Sequence, residues 1–165
     1  MSTQDIESRL LGIKQQLKRL SGLDQDCSLF GAERWKYNFR RFSEEEVNGI
    51  EKQYNISLPQ EFRAFLLEIG FGAADSYGAN VEGLPHYYQD DEDEYPMSEG
   101  TIDIAEIGCG IEFMLVINGV HRGEVWVTQS YREPQPWSSS YLNWYEDWLA
   151  KSLESLEVPQ NPPKG

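Results

Sequence analysis

The chain has 165 residues, 39% hydrophobic and 13% aromatic, which suits one domain with a buried core and excludes disorder throughout, even at a net charge of −14. No stretch reaches the roughly 18 apolar residues of a membrane span, and MSTQDIESRLLGIKQQLKRL lacks the basic-then-apolar plan of a signal peptide, so a cytoplasmic location is expected. Residues 1–63 are charge-balanced, whereas residues 64–121 hold twelve Asp or Glu and no Lys or Arg; such a segment repels nucleic acid and anionic membrane and attracts a basic partner, the plain alternative being solubility.

Ile6, Leu10, Ile13, Leu17 and Leu20 step by four and three, one face of an amphipathic helix with Gly22 as its stop. The pattern lasts only about two heptads, too short for a coiled coil. The polar and aromatic stretch through Trp35, Tyr37, Phe39 and Phe42 carries no firm assignment. Ser43 and Glu46 have capping-box spacing, and three acids in the first turn suit the helix dipole; Val47, Ile50 and Tyr54 give that helix its buried face. Pro59 fits a first helical position, Phe62, Phe65, Leu66 and Ile69 the stripe behind it, and Gly70 the stop. Residues 70–100, rich in Gly, Tyr and acids, read as a long loop with one short strand.

The period then changes. Ile102, Ile104 and Ile107 alternate approximately; Phe113, Leu115 and Ile117 face one way, Met114 and Val116 the other. Asn118-Gly119 predicts a hairpin turn, and Val125 and Val127 flank Trp126 in a third strand. A loop from Pro134 to Trp137 leads to a closing helix with Tyr141, Trp144, Tyr145, Trp148 and Leu149 on its apolar face. Helices kept apart from strands predict an α+β fold, an antiparallel meander packed by N-terminal helices and a C-terminal helix. One domain is expected over residues 1–157, with residues 1–42 an N-terminal helix and variable region, 43–157 the core, and 158–165 a disordered tail.

Catalysis needs convergent groups, and few are present. His86 lies beside Tyr87 in the loop, His121 follows the expected hairpin turn and reads as a surface residue, and no nucleophile motif accompanies either. Two distant cysteines make no structural zinc site. Asp90-Asp91-Glu92-Asp93-Glu94 lacks the alternating ligands, central Gly and closing Glu of an EF-hand loop, and five adjacent acids favour solvation. A disulfide between Cys27 and Cys109 is open, but nothing requires one, and with no export signal both are expected as thiols. Gly70, Gly72 and Gly78 follow a helix, whereas a phosphate loop follows a strand. Gly108-Cys109-Gly110 reads as a bend. Trp126, Trp144 and Trp148 read as packing, and Trp137, among Pro and Ser, as packing or as an exposed anchor.

Leu58-Pro59 followed by Glu61 to Gly70 (EFRAFLLEIG) resembles the leading motif of the SUKH superfamily. Gly108-Cys109-Gly110, then Leu115-Val116-Ile117-Asn118-Gly119, then Gly123-Glu124-Val125-Trp126 resembles its central strand motif, and Tyr141 to Leu149 (YLNWYEDWL) its closing helix. The three occur in the family's order over roughly residues 43–153. The resemblance implies an α+β fold without a known active site or cofactor. It also implies a role: bacterial members are similar to immunity proteins that bind and neutralise polymorphic toxins, often nucleases, while eukaryotic relatives resemble regulators of cell-wall synthesis. Two departures stand out. An Asn-Gly-Gly type segment expected after the leading helix reads Phe71-Gly72-Ala73-Ala74-Asp75, and the acidic run at 90–94 is particular to this chain or its subgroup.

The expected function is therefore stoichiometric, non-enzymatic binding of a basic protein toxin. The candidate contact residues are Asp90, Asp91, Glu92, Asp93 and Glu94 with the neighbouring Tyr87, Tyr88 and Tyr95, and Trp137. No metal, cofactor, nucleic acid or membrane is expected. The alternative is a regulatory scaffold with an endogenous, non-toxic partner.

Overall fold

The computed structural model describes residues 2–29, 32, 36–70, 85–90, 94–130 and 132–157. Helix α1 (Thr3–Leu23) starts at Ser2, whose side chain accepts from the Asp5 amide, and it buries the five residues of its apolar stripe. Its end differs from expectation: the helix passes Gly22 and is capped at Asp24. The reason is that the Asp24 carboxylate, only 3% exposed, organises the chain that follows. It accepts hydrogen bonds from the Ser28 amide (2.7 Å) and hydroxyl (2.6 Å), the Leu29 amide (3.2 Å) and the Tyr37 hydroxyl (2.6 Å).

Helix α2 (Glu44–Tyr54) opens with the expected reciprocal capping box between Ser43 and Glu46. Helix α3 (Gln60–Glu68) begins after Pro59, which stands one position before the expected one. Gly70 closes this segment at φ +116°, where a Cβ would overlap the backbone of Arg40; only glycine tolerates both the dihedral and the approach.

Five strands form one antiparallel sheet in the order β1-β2-β3-β4-β5, one more than the three meander strands and the short loop strand expected. They are β1 (Tyr87–Tyr88), β2 (Thr101–Gly108), β3 (Ile111–Val116), β4 (Val125–Gln129) and β5 (Arg132–Ser138). The expected short strand in the long loop is β1. The extra strand, β5, occupies the segment read as a Pro-containing loop. Pro134 and Pro136 lack amide donors, and an edge strand is where a sheet accepts them. Gly108, Cys109 and Gly110, all at positive φ, form the bend between β2 and β3. Asn118-Gly119 does not make a two-residue hairpin; residues 117–124 form a longer connection, closed by Val116 bonded to Glu124 and Gly123 bonded to Val116.

Helix α4 (Tyr141–Glu157) then packs with α1 and α3 on one sheet face. Ile102, Phe113, Leu115, Val125 and Val127 enter the same core as Ile13, Phe65 and Tyr145. Arg9 ties the three helices together. It donates to Glu146 of α4 from Nε (3.0 Å) and Nη2 (2.6 Å), to Asn143 (2.7 Å), and pairs with Glu61 of α3 (3.4 Å). Glu61 in turn accepts from the Leu142 amide (2.9 Å), filling one of the orphan donors at the start of α4.

Candidate functional site

The face of the sheet turned away from the helices is built by β2, β3 and β4. Alternation places Glu112, Met114 and Val116 of β3 on it, opposite Phe113, Leu115 and Ile117. In β2, Asp103 pairs with Met114, and an irregularity follows so that Ala105 pairs with Phe113 and Glu106 with Glu112. Asp103 and Glu106 are three apart, and strict alternation would point them to opposite faces. The bulge absorbs one residue, buries Ile104 and Ala105 together, and returns Glu106 to the side of Asp103. Three carboxylates, Asp103, Glu106 and Glu112, thus share the outer face.

Their electrostatics are unfavourable as they stand. Burial pushes the Asp103 carboxyl above its usual range, with His86 opposing the shift and Glu106 adding to it. The Glu112 carboxyl is raised by burial, then by Asp103 and Glu106. Glu106 and Glu112 stand directly across from one another, a destabilising like-charge pair. Among the described residues no Lys or Arg forms an ion pair with any of the three.

An aromatic cluster adjoins them. Met114, Val116 and Trp126 are covered by Tyr95 and Met97. Tyr95, His121 and Trp126 meet edge to face with centroids 4.9–5.6 Å apart. Glu124 accepts from the Trp126 indole (3.0 Å) and lies 2.9 Å from Nδ1 of His121. The Tyr95 hydroxyl is buried without a hydrogen-bond partner among the described residues, and its phenol is pushed up to about 12 by burial and by Glu124 and Glu99.

The residues expected to bind a partner fall in different places. Asp91, Glu92 and Asp93 lie outside the described residues; Asp90 and Glu94, flanking them, are exposed. Tyr87 is half-buried on the helix side against Tyr54 (5.6 Å) and accepts from Asn118 (3.0 Å). Tyr95 belongs to the outer-face cluster, and Tyr88, 42% exposed, presents its ring on edge strand β1. Trp137 is not in a loop but on the opposite edge strand, β5. Four strand spacings, about 19 Å, separate the two edges. The outer-face carboxylates were missed as a group; the broken alternation of Ile102, Ile104 and Ile107 was the available sign of the bulge.

Among the described residues, no helix is long and apolar enough to cross a membrane, and no group of three or more His, Cys, Asp or Glu is placed to hold a metal ion. Cys27 and Cys109 are free thiols. A family model described as SMI1 / KNR4 family (SUKH-1) matches residues 41–154, more than half of the chain. No curated protein and no solved structure matches.

Proposed function

The chain belongs to the SMI1 / KNR4 family (SUKH-1), and from that premise we propose that it is an immunity protein, neutralising a basic protein toxin by stoichiometric binding without catalysis. The observation that carries this reading is the set of Asp103, Glu106 and Glu112 on one sheet face, two of them held above their usual range, with no Lys or Arg among the described residues forming an ion pair with them. A cationic partner relieves that repulsion, so the face favours a basic protein over an acidic or neutral one. Exposed Tyr88 on β1, with Asp90 and Glu94, adds to the acidic and aromatic surface near that edge, and Tyr87 and Tyr95 hold the strand and its neighbouring turn in place. If the toxin is a nuclease, these carboxylates occupy its phosphate-binding groove.

The test begins with affinity capture from lysates of source cells and their competitors at low and high salt. The expected result is a basic protein that salt releases, that kills when expressed alone and that is tolerated when this chain is co-expressed. Association is then timed with Asp103→Asn/Glu106→Gln/Glu112→Gln and with residues 90–94 neutralised. Slower association with a flatter salt dependence is expected; unchanged kinetics in both variants removes this side of the sheet from the interface. Capture of a non-toxic endogenous assembly instead establishes the regulatory scaffold.

A further inference from the structure

The start of β4 and the end of β5 frame a cleft of their own. Register explains why it is open. Val125 pairs with Ser138 but Trp126 with Pro136, so Trp137 is an extra residue on the edge strand. Such a bulge leaves its residue out of the ladder and bends the strand. Beside it lies a shallow cleft of about 260 Å³, walled by Glu124, Pro136, Trp137, Ser138 and Ser139. That volume falls below the roughly 300–1,000 Å³ of small-molecule sites and suits one side chain.

Glu124 is the one charged group in this wall, and it is held from behind. Its Oε2 accepts from the Trp126 indole (3.0 Å) and meets Nδ1 of His121 (2.9 Å), and these two rings are fixed against each other and against Tyr95. Its Oε1 has no hydrogen-bond or ion-pair partner among the described residues, although the side chain is only 31% exposed. A largely covered carboxylate oxygen without a donor costs free energy until something supplies one. The neighbouring bases do not. Arg122 stands in the adjoining turn, but its Nη1 donates to the carbonyls of Ser57 (2.6 Å) and Ile117, and it forms no ion pair with Glu124. Arg132 lies at the other end of β5, paired with Gln129. A neutral His121 gives Glu124 a hydrogen bond without cancelling its charge.

The serine oxygens of the wall have room to accept as well. Ser138 donates its hydroxyl to the Ser140 carbonyl (3.3 Å), and the Ser139 oxygen accepts from the Asn143 amide (2.8 Å), so each retains a lone pair. One carboxylate oxygen and two hydroxyl oxygens select a cation that donates in several directions at once. A planar guanidinium does so, whereas an ammonium is a compact and strongly hydrated point charge. Pro136 and Trp137 supply apolar wall for the stem of such a side chain.

We infer that the Glu124 cleft takes one Arg side chain of a basic protein partner. The inference rests on the proposed function for the source of that Arg, and it adds Glu124 to the contact surface.

The test is a titration of the full chain, carrying isotopically labelled tryptophan, at about pH 8, where an ordinary imidazole is neutral. The probes are acetylated and amidated Gly-Xaa-Gly peptides in which Xaa is Arg, Lys or citrulline, the last an uncharged isostere of Arg. The readout is the indole N–H resonance of Trp126, which is bonded to Glu124. The Arg peptide is expected to shift it saturably and to bind about tenfold more tightly than the citrulline peptide, the factor that one hydrogen bond between charged groups supplies, with the Lys peptide between them. Glu124→Gln keeps the shape and an acceptor for the indole; with its melting temperature checked, it is expected to bring Arg and citrulline to parity. Asp103→Asn/Glu106→Gln/Glu112→Gln removes more charge elsewhere and is expected to keep the preference, which separates the cleft from the general pull of a chain of net charge −14. Equal binding of the Arg and citrulline peptides, a preference that survives in Glu124→Gln, or a Lys peptide as tight as the Arg peptide overturns the inference. With the captured toxin, Glu124→Gln is expected to raise the dissociation rate about tenfold; an unchanged rate removes the toxin as the source of the Arg. The peptides need no toxin, so failure of the cleft and failure of the proposed function are told apart.

Discussion

The helical layer and the outer face of the sheet treat charge in opposite ways. In the helical layer, Arg9 serves Glu61 and Glu146, Lys14 and Arg41 serve Glu68, and Arg63 serves Glu44 and Glu51. Hydrogen bonds hold these carboxylates or their partners in the charged form: Arg9 is raised by Glu146, Glu68 lowered by Lys14, and Glu44 lowered by Arg63. On the outer face, Asp103 and Glu112 shift the other way, and residues 64–121 contain no Lys or Arg, only His86 opposing the Asp103 shift. Charges that complete the fold are matched within the chain, whereas Asp103, Glu106 and Glu112 on the sheet's outer face are not. Substitutions in the two regions should therefore differ in the sign of their effect on stability, not merely in its size.

The largest effects belong to the helical side. Phe65 is fully buried and packs against Tyr141 (5.0 Å) and Tyr145 (4.6 Å). Phe65→Ala should lower the unfolding free energy by about 3–5 kcal/mol, read by urea melts. Asp24→Ala comes next, at about 2–3 kcal/mol, because four donors lose a charged acceptor. Burial pushes that carboxyl up, but the bonds from Ser28, Tyr37 and Leu29 outweigh it and hold it below its usual range. The stability it contributes is thus present above the unfolded-state value, near 3.9, and lost as pH falls through the lower folded value. Acid melts of Asp24→Ala should lack that component. Arg9→Ala, at a largely buried hub (side chain 17% exposed), should cost about 1–2 kcal/mol, with the loss reduced in high salt.

How much of this was readable in the sequence follows from the same physics. Local signals translated directly: the stripe of α1, the Ser43–Glu46 box and the Gly108-Cys109-Gly110 bend depend on residues a few positions apart. Signals that depend on a distant partner did not. Pro134 and Pro136 argue against a strand until β4 supplies an edge to pair with. Gly22 looked like a helix end because the fourfold satisfaction of Asp24 involves Tyr37, thirteen residues on. Asn118-Gly119 looked like a tight turn, but Arg122 bonds to the carbonyls of Ser57 and Ile117 and holds a wider loop against the start of α3. The acid count of 64–121 was visible, whereas the meeting of Asp103, Glu106 and Glu112 on one face required the bulge.

The smallest effect carries the most information. Asp103→Asn removes a desolvated charge without changing shape. Because the folded value is raised above the unfolded one, the folded state binds more protons between the two, and stability falls as pH rises through that interval. At neutral pH the ionised Asp103 therefore costs stability, and Asn should raise the melting temperature by about 1–3 °C. A basic partner reverses the balance, since it favours the ionised form. Binding should release protons in the carboxylate range, strengthen as pH rises through it, and weaken in Asp103→Asn. A substitution that stabilises the free protein while weakening the complex is the signature of a group kept for binding; one that lowers stability and leaves binding unchanged would place Asp103 with the structural charges of the helical layer.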